Sequence, residues 1–227
     1  MKGIILAAGN GTRLKPMTLV MNKHLLPVYD KPMILYPLET LKGMGIKDIL
    51  IICGGSHMGS FMSFLGDGKE YGVNLTYRIQ EQANGIAGAL SLAKDFVWGV
   101  DKFAVILGDN IFEYAPKTIM DFALVVKEVD NASRFGVFHN NKIIEKPEKP
   151  QSNMAVTGLY VYTPAIFSFI ETLSPSARGE LEITDVNNWC LENFIVDVVP
   201  YDGFWSDAGT VDSLLFTSNW VKNKKTQ

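Results

Sequence analysis

The amino-acid sequence predicts an α/β fold in which a mostly parallel central sheet is flanked by helices. Short aliphatic runs rich in β-branched residues alternate with longer segments that carry apolar residues at helical spacing. Such alternation is typical of parallel strands joined by crossover helices. The chain has 227 residues, 47% of them hydrophobic. That is enough to bury a substantial core, and the length is that of one large domain.

Aliphatic runs in the first half of the chain are predicted to be strands. They are Gly3 to Ala7, Asp48 to Cys53, Leu75 to Ile79 and Phe103 to Leu107. Helices are predicted between these runs. One begins at Pro32, a residue suited to a first helical turn, and runs through Leu41 to the stop at Gly43 and Gly45. Another spans Gly85 to Phe96, with apolar residues at helical spacing.

The pattern loosens after Asp109, where shorter strand-like runs precede helices. The predicted strands are Leu124 to Val129, Gly136 to Phe138, Lys142 to Glu145 and Val156 to Tyr162. The predicted helices are Pro164 to Thr172, Ile183 to Glu192 and Thr210 to Lys222, with Thr210 as a candidate N-cap. No Pro/Ser-rich linker or charge block separates the two halves. We therefore predict one domain over residues 1–227, in which the second half extends the first.

Composition excludes several classes of partner. The net charge is −3, and no basic stripe stands out except the terminal Lys222, Lys224 and Lys225, so nucleic acid is not expected. The only cysteines, Cys53 and Cys190, fit free buried thiols in a reducing compartment. No apolar run is long enough for a membrane span or a signal peptide. A cytoplasmic protein without membrane partners is expected; a homo-oligomer is compatible with the sequence, which leaves the oligomeric state open.

A glycine-containing loop, Ala8-Gly9-Asn10-Gly11-Thr12-Arg13, follows the first predicted strand. Loops at the carboxyl ends of such strands commonly bind ligands. The glycines would let backbone N–H groups approach phosphate oxygens, and Arg13 adds a cation, although the glycines alone fit a tight turn equally well. Leu14 replaces the third glycine of the dinucleotide fingerprint, and no Gly-Lys-Ser/Thr follows. NAD enzymes and P-loop NTPases are thus disfavoured.

Further motifs follow this loop in order. They are Lys15 to Thr18, Asn22 to Ile34, Gln80 with Gly85, Leu107 to Asn110, Arg134 to Val137, Glu145 to Pro147, Ala155 to Tyr160, Pro175 to Asn187, and Trp205 to Thr210. Together they resemble the sugar nucleotidylyltransferase family over nearly the whole chain. The resemblance implies a Rossmann-like fold of the nucleotide-diphospho-sugar transferase type, with a nucleotide-binding half at 1–110 and a smaller sugar-binding extension at 111–227.

The resemblance also implies a reaction. The expected activity joins dTTP to glucose 1-phosphate, giving dTDP-glucose and pyrophosphate with Mg²⁺ as cofactor. Two alternatives stay open: the use of UTP or another hexose 1-phosphate, and a noncatalytic relative that only binds nucleotide sugars. The second is disfavoured because the expected charged residues are all present. They are Arg13, Lys23, Asp109, Lys146 and Asp207.

Both reactants are anions, so catalysis needs cations near the phosphates and carboxylates that hold Mg²⁺. By resemblance, Arg13 and Lys23 bind the triphosphate, Lys146 binds the sugar phosphate, and Asp109 and Asp207 hold the metal. From the residues alone, an aspartate after a strand is more often a turn or cap residue. Likewise, Lys23 and Lys146 would be taken as solvated surface cations.

The remaining site residues are also implied by the resemblance. For the nucleotide they are Ala8, Gly9, Gly11 and Thr12 of the loop, with Gln80 and Gly85 reading the thymine through a side-chain amide and a backbone N–H. For the glucose ring they are Glu145, which accepts from hydroxyls, and Gly136 and Val156, which offer backbone groups. Taken by itself, Gln80 is a polar strand end and Glu145 a solvent-facing one.

Two departures from the family pattern carry expectations. His24 stands where members commonly have glutamine beside the active-site lysine, although shorter relatives also carry Asn-Lys-His. Longer members continue past the Trp-Ser-Asp-Ala-Gly segment into helices that form subunit contacts and a regulatory site, whereas this sequence ends at Gln227. Feedback regulation of the long-form kind is therefore not expected.

Overall fold

The computed structural model describes residues 1–117 and 120–226, which contain the following strands and helices. The strands are β1 (Lys2–Ala7), β2 (Pro27–Val28), β3 (Lys31–Pro32), β4 (Asp48–Gly54), β5 (Asn74–Gln80), β6 (Phe103–Leu107), β7 (Asn110–Phe112), β8 (Ala123–Glu128), β9 (Gly136–His139), β10 (Lys142–Glu145), β11 (Met154–Tyr162), β12 (Asp197–Pro200) and β13 (Trp205–Asp207). The helices are α1 (Leu35–Gly43), α2 (Met58–Leu65), α3 (Ile86–Ser91), α4 (Ile166–Ile170), α5 (Ile183–Asn193) and α6 (Val211–Lys225).

Nine strands of the described ranges form one sheet with the order β10-β9-β11-β6-β1-β4-β5, and β8 pairs with both β11 and β12. Strand β1 runs parallel to β4 and β6, and β4 runs parallel to β5. Strand β11 lies antiparallel to β6 and joins the second half of the chain to this parallel centre. The predicted α/β fold class is confirmed, and the second half extends the sheet of the first.

The central parallel strands β1, β4 and β6 are buried on both faces, which explains their nearly continuous apolar sequences. Ile4 and Leu6 of β1 pack in the same apolar cluster as residues of α3, α4 and α5. Ile5 and Ala7 point the other way and pack with residues of α1 and α2. Because side chains alternate along a strand, one short run supplies both layers of the core. The polar loops are consequently left at the ends of the strands.

Some predicted boundaries are wrong for identifiable reasons. Helix α1 begins at Leu35 rather than Pro32, because Lys31–Pro32 pairs with Pro27–Val28 in a short hairpin. A helix was predicted from Gly85 to Phe96, but α3 spans only Ile86–Ser91, and the chain after Ser91 forms turns. Helix α2 was not predicted, although Phe61 and Leu65 bury one of its faces. The predicted N-cap Thr210 is confirmed: its side chain accepts from the Ser213 backbone N–H, at 3.2 Å.

Both cysteines are buried and carry free thiols, Cys53 in β4 and Cys190 in α5. Among the residues that the structure describes, no helix combines the length and the apolar character that crossing a bilayer would require.

Candidate active site

A cavity of about 540 Å³ opens beyond the carboxyl ends of β1, β5 and β6. Most of the residues implied by the sequence line it together. They are Ala8, Gly9, Arg13, Lys23, Gln80, Gly85, Asp109, Gly136, Glu145, Lys146, Val156 and Asp207. Gly11 and Thr12 are not among its lining residues. The position of the cavity matches the rule that open α/β sheets bind ligands at this edge.

The glycine loop after β1 packs tightly against the segment that carries Lys23. A Cβ on Gly9 would lie 3.3 Å from Lys23 Cε. Gly11 has a left-handed backbone (φ 62°), and a Cβ there would lie 2.8 Å from Thr18 Cγ2 and 2.9 Å from Lys23 Cβ. Gly11 therefore shapes the loop instead of lining the cavity, and Thr12 begins the 3-10 turn that carries Arg13.

Asp109 follows β6 and Gly108 and is only 7% exposed. The Lys23 ammonium donates to its Oδ2 in an ion pair, and Asn110 Nδ2 donates to its Oδ1 at 3.1 Å. Burial raises the pKa of Asp109, but the positive charge of Lys23 and its hydrogen bond outweigh burial and hold the pKa well below its usual range. Asp109 is therefore a permanent negative charge in the cavity.

Asp207 reaches Asp109 through a pair of three-residue strands. Strand β13 pairs antiparallel with β7, which places Asp207 opposite Asn110. A Cβ on Gly209 would lie 2.7 Å from Asp207 Oδ1, 3.2 Å from Asp109 Oδ2 and 3.2 Å from Arg13 Nη2. Two carboxylates and a guanidinium thus converge on one small space that a glycine keeps open.

The carboxylate pair has the character of a cation site. Burial, followed by the charge of Asp109, raises the pKa of Asp207, so a cation shared by the two carboxylates would relieve their repulsion. Oxygen ligands of this kind suit Mg²⁺, which takes one or two carboxylates together with phosphate oxygens and water. In the described part of the chain no group of three or more His, Cys, Asp or Glu side chains is placed to hold a metal. The residues present fit Mg²⁺ better than a metal that needs a full protein cage.

A second charged cluster lies at the other side of the cavity, at the end of β10, which is three positions from β6 in the sheet. Glu145 ends β10 opposite Gly136, and Thr184 Oγ1 donates to Glu145 Oε2 at 2.6 Å. Lys146 Nζ lies 3.3 Å from Glu145 Oε1, and Arg178 Nη2 lies 3.7 Å from the same oxygen. Lys146 has a positive φ of 43°, which is uncommon for a residue with a side chain.

Gln80 and Gly85 border the cavity on the side of β5. Gln80 is 8% exposed, and its Nε2 donates to Asn84 Oδ1 at 2.8 Å. Gly85 has φ 98°, and a Cβ there would lie 2.5 Å from the Leu181 carbonyl oxygen, so only glycine fits without a shift of the backbone. The Leu181 N–H donates to the Asn84 carbonyl, which ties this loop to the segment before α5.

His24 lies beneath the aspartate loop and is buried. Its backbone N–H donates to Asn22 Oδ1 at 2.9 Å, and its Nδ1 lies 2.8 Å from the same oxygen. A Cβ on Gly108 would lie 2.6 Å from His24 Cδ2. Burial, helped by the nearby charge of Lys23, lowers the pKa of His24 to about 3, so the ring is neutral. The imidazole supports the loop that presents Asp109.

Several residues of the cavity were not assigned a role from sequence. Asn110 Oδ1 accepts from the Gly158 backbone N–H at 3.0 Å and from Trp205 Nε1 at 2.7 Å, so it connects three elements around Asp109. Arg178 lies in the Pro175 to Asn187 motif, in which no site residue was predicted from the sequence, yet it lines the cavity beside Glu145. Thr184 also lines the cavity and acts through Glu145, whereas Asn84 is not a lining residue and contacts Gln80. Asn110, Arg178 and Thr184 are polar residues inside motifs that resemble the family, and this was the sequence signal that could have found them. Asn84 had no such signal.

Comparison with known proteins agrees with this geometry. The family model described as nucleotidyl transferase matches residues 2–224. A glucose-1-phosphate thymidylyltransferase of Neisseria meningitidis serogroup A is 43% identical over 98% of this chain and 83% of the relative. A protein of the same name from Mycolicibacterium smegmatis is 42% identical over 98% of this chain and 82% of its own.

Solved structures give the same result. A putative glucose-1-phosphate thymidylyltransferase from Bacillus anthracis, in complex with a sucrose, is 48% identical with a TM-score of 0.91, covering 98% of this chain and 95% of that one. A UDP-glucose pyrophosphorylase complexed with UDP-glucose is 26% identical with a TM-score of 0.86, covering 98% of each chain. The chain belongs to the nucleotidyl transferase family.

Proposed function

We propose that this protein transfers a thymidylyl group from dTTP to glucose 1-phosphate, forming dTDP-glucose and pyrophosphate. The observation that carries the proposal is that the five charged residues expected from the sequence all line one cavity. They are Arg13, Lys23, Asp109, Lys146 and Asp207. The names of relatives that are 42–44% identical over nearly the whole chain support the choice of nucleotide and sugar.

The reaction joins two anions. An oxygen of the sugar phosphate attacks the α-phosphorus of the triphosphate in line, and a new P–O bond forms. The bond between the α-phosphorus and the bridging oxygen breaks, and its electron pair leaves on the pyrophosphate. The attacking oxygen is already ionised, so no general base is required. The protein's contribution is alignment and neutralisation of charge.

We assign Arg13 and Lys23 to the triphosphate and Lys146 to the sugar phosphate. Arg13 lies beside the two carboxylates, and Lys23 is ion-paired with Asp109. Lys146 belongs to the Glu145 cluster, where Arg178 supplies a second cation. Because the two cation groups lie at different sides of the cavity, each neutralises one reactant while the two are brought together.

For the sugar ring, we propose that Glu145 accepts hydrogen bonds from hydroxyl groups. Thr184 donates to one carboxylate oxygen and thereby fixes its direction. Gly136 and Val156 flank this position on β9 and β11 and offer backbone groups.

We propose Mg²⁺ as the cofactor, held by Asp109 and Asp207. Bound there, the ion would neutralise phosphate charge in the transition state. The low pKa of Asp109 keeps that carboxylate ionised and ready to bind a cation. We also propose a reducing, cytoplasmic location, which the two buried free cysteines support.

A second candidate differs only in the base. We propose that the Gln80 side chain, which lines the cavity, faces the base. A fixed glutamine amide cannot separate thymine from uracil, because both present the same N3 donor and O4 acceptor. The likeness to a UDP-glucose pyrophosphorylase structure also favours testing UTP. A panel assay of pyrophosphate release should compare dTTP, UTP, dCTP and ATP with several hexose 1-phosphates. We expect the highest kcat/KM for dTTP with glucose 1-phosphate; a higher value for another pair would replace the proposed substrates.

A further inference from the structure

We propose that Asn84 and Gly88 together fix the orientation of the Gln80 amide, and thereby set the preference of the base site for thymine or uracil over cytosine. The inference rests on the proposed function, in which Gln80 faces the base. Asn84 is not among the residues that line the cavity, so it would act as a positioning residue through Gln80.

The first supporting observation is the contact between the two amides. Gln80 stands at the end of β5, and one N–H of its Nε2 donates to Asn84 Oδ1 at 2.8 Å. The backbone of Asn84 is itself fixed, because its N–H donates to the Gln82 carbonyl at 2.9 Å and its carbonyl accepts from the Leu181 N–H at 2.8 Å. The acceptor that holds Gln80 therefore belongs to an anchored loop.

The second observation is the space occupied by the Asn84 amide. It lies over Gly88, where a Cβ would come within 2.1 Å of Asn84 Oδ1 and 2.5 Å of Asn84 Cγ. Gly88 lies inside helix α3 and is buried, and no unusual backbone angle requires glycine there. Glycine is a poor helix former, so its position calls for a packing reason. The packing reason is that Gly88, which has no side chain, leaves room for the Asn84 amide.

The consequence for base recognition follows from donors and acceptors. With one N–H committed to Asn84, Gln80 offers its second N–H and its carbonyl oxygen. These match the O4 acceptor and N3–H donor of thymine or uracil. Cytosine has the reverse pattern and would require the Gln80 amide to turn over. Turned over, its carbonyl oxygen would face Asn84 Oδ1, and two acceptors would oppose each other.

Only a simultaneous reversal of the Asn84 amide would remove that conflict. An aspartate at this position could not take that route, because a carboxylate only accepts. Asn84→Asp should therefore keep the holding interaction, whereas Asn84→Ala removes it. Gly88→Ala should displace the Asn84 side chain while leaving both amides chemically intact.

The test measures kcat/KM for dTTP, UTP and dCTP with glucose 1-phosphate in the parent and in Asn84→Ala, Gly88→Ala and Asn84→Asp. Gln82→Ala is the matched control, because it removes an exposed amide from the same loop. We expect the dTTP to dCTP ratio to fall about fivefold or more in the first two variants, since a mispaired buried group is costly. The ratio should persist in Asn84→Asp and Gln82→Ala. The dTTP to UTP ratio and the KM for glucose 1-phosphate should not change.

Isothermal titration calorimetry of dTTP and dCTP with the same variants measures the ratio of their affinities without requiring turnover. An Asn84→Ala protein that discriminates against dCTP as strongly as the parent would overturn the inference and leave the proposed function intact. A parent that binds neither nucleotide and releases no pyrophosphate would instead overturn the proposed function itself. If Gly88→Ala does not fold, Asn84→Ala still decides the matter, because the Asn84 side chain is exposed.

Discussion

Three polar side chains in the cavity are each held by a specific neighbour, which determines what a substitution does. Lys23 holds Asp109, Thr184 holds Glu145, and Asn84 holds Gln80. Removing the charge of a held residue also releases its neighbour. The consequences for activity are therefore best measured with shape-preserving substitutions.

Asp109→Asn should reduce turnover by about a hundredfold or more, because the amide keeps the shape and removes the charge assigned to Mg²⁺. Asp207→Asn should act in the same direction. Since both carboxylates serve one ion, the double variant should lose less than the product of the single losses. Kinetics at saturating Mg²⁺, with circular dichroism to verify folding, give this comparison. Near-normal turnover of Asp109→Asn would rule out the metal assignment, and multiplicative losses would indicate separate roles.

Lys146→Ala should weaken the binding of the sugar phosphate more than the binding of the triphosphate. The lost ammonium belongs to the Glu145 cluster, away from Arg13, and a hydrogen bond to a charged group contributes about 1.5–3 kcal/mol. The KM for glucose 1-phosphate should rise about tenfold or more, while that for dTTP changes little. Initial-rate kinetics with each substrate varied in turn measure both values. Equal increases in the two KM values would place Lys146 elsewhere.

At the scale of elements, short strands and loops bring the site together, and these were the hardest to predict. The strands β1, β4 and β6 were predicted from runs of four or more apolar residues, and β5 from Leu75, Tyr77 and Ile79, which alternate with polar residues. Three-residue β13 has too few residues to show any period, yet its pairing with β7 positions Asp207. Only the family resemblance placed that aspartate in the site. The role of Asn84 had no sequence signal, because it depends on the space above Gly88.

The loop between β5 and α3 provides a test at this scale. Gly85→Ala should destabilise the fold more than Gly45→Ala. Both glycines have positive φ, 98° and 78°, but a Cβ on Gly85 would meet the Leu181 backbone, whereas nothing lies within 4 Å of one on Gly45. The positive φ alone costs about 1–2 kcal/mol, and the collision adds to it. Urea unfolding of both variants measures the difference. Equal losses would show that the loop relaxes freely.

At the scale of the whole molecule, the sequence predicted the fold class because a sheet buried on both faces needs continuously apolar strands and covering helices. The order of strands was not predictable in the same way, since it depends on which distant runs pair. Strand β11 illustrates this: its apolar sequence indicated a strand, but only the structure shows it antiparallel to β6, linking the halves. The division into halves at residue 110 stays a prediction.

Burial in this core should protect both thiols. Burial raises the pKa of Cys53 to about 11 and that of Cys190 to about 12, so near pH 8 both remain neutral thiols, and the thiolate is the reactive form. We expect the rate of reaction with a thiol reagent such as iodoacetamide to be low in the folded protein. The rate should increase as the protein unfolds in urea. Mass spectrometry of labelled protein against urea concentration provides the measurement. Rapid labelling without urea would mean that a core element opens readily.

The central claim is that the charges in this cavity join dTTP to glucose 1-phosphate. The most direct test is a ³¹P NMR time course of the protein with both substrates and Mg²⁺. The account predicts that the dTTP resonances fall while those of dTDP-glucose and pyrophosphate rise in equal amounts, and only when glucose 1-phosphate is present. Unchanged spectra, or loss of dTTP that does not need the sugar phosphate, would contradict it.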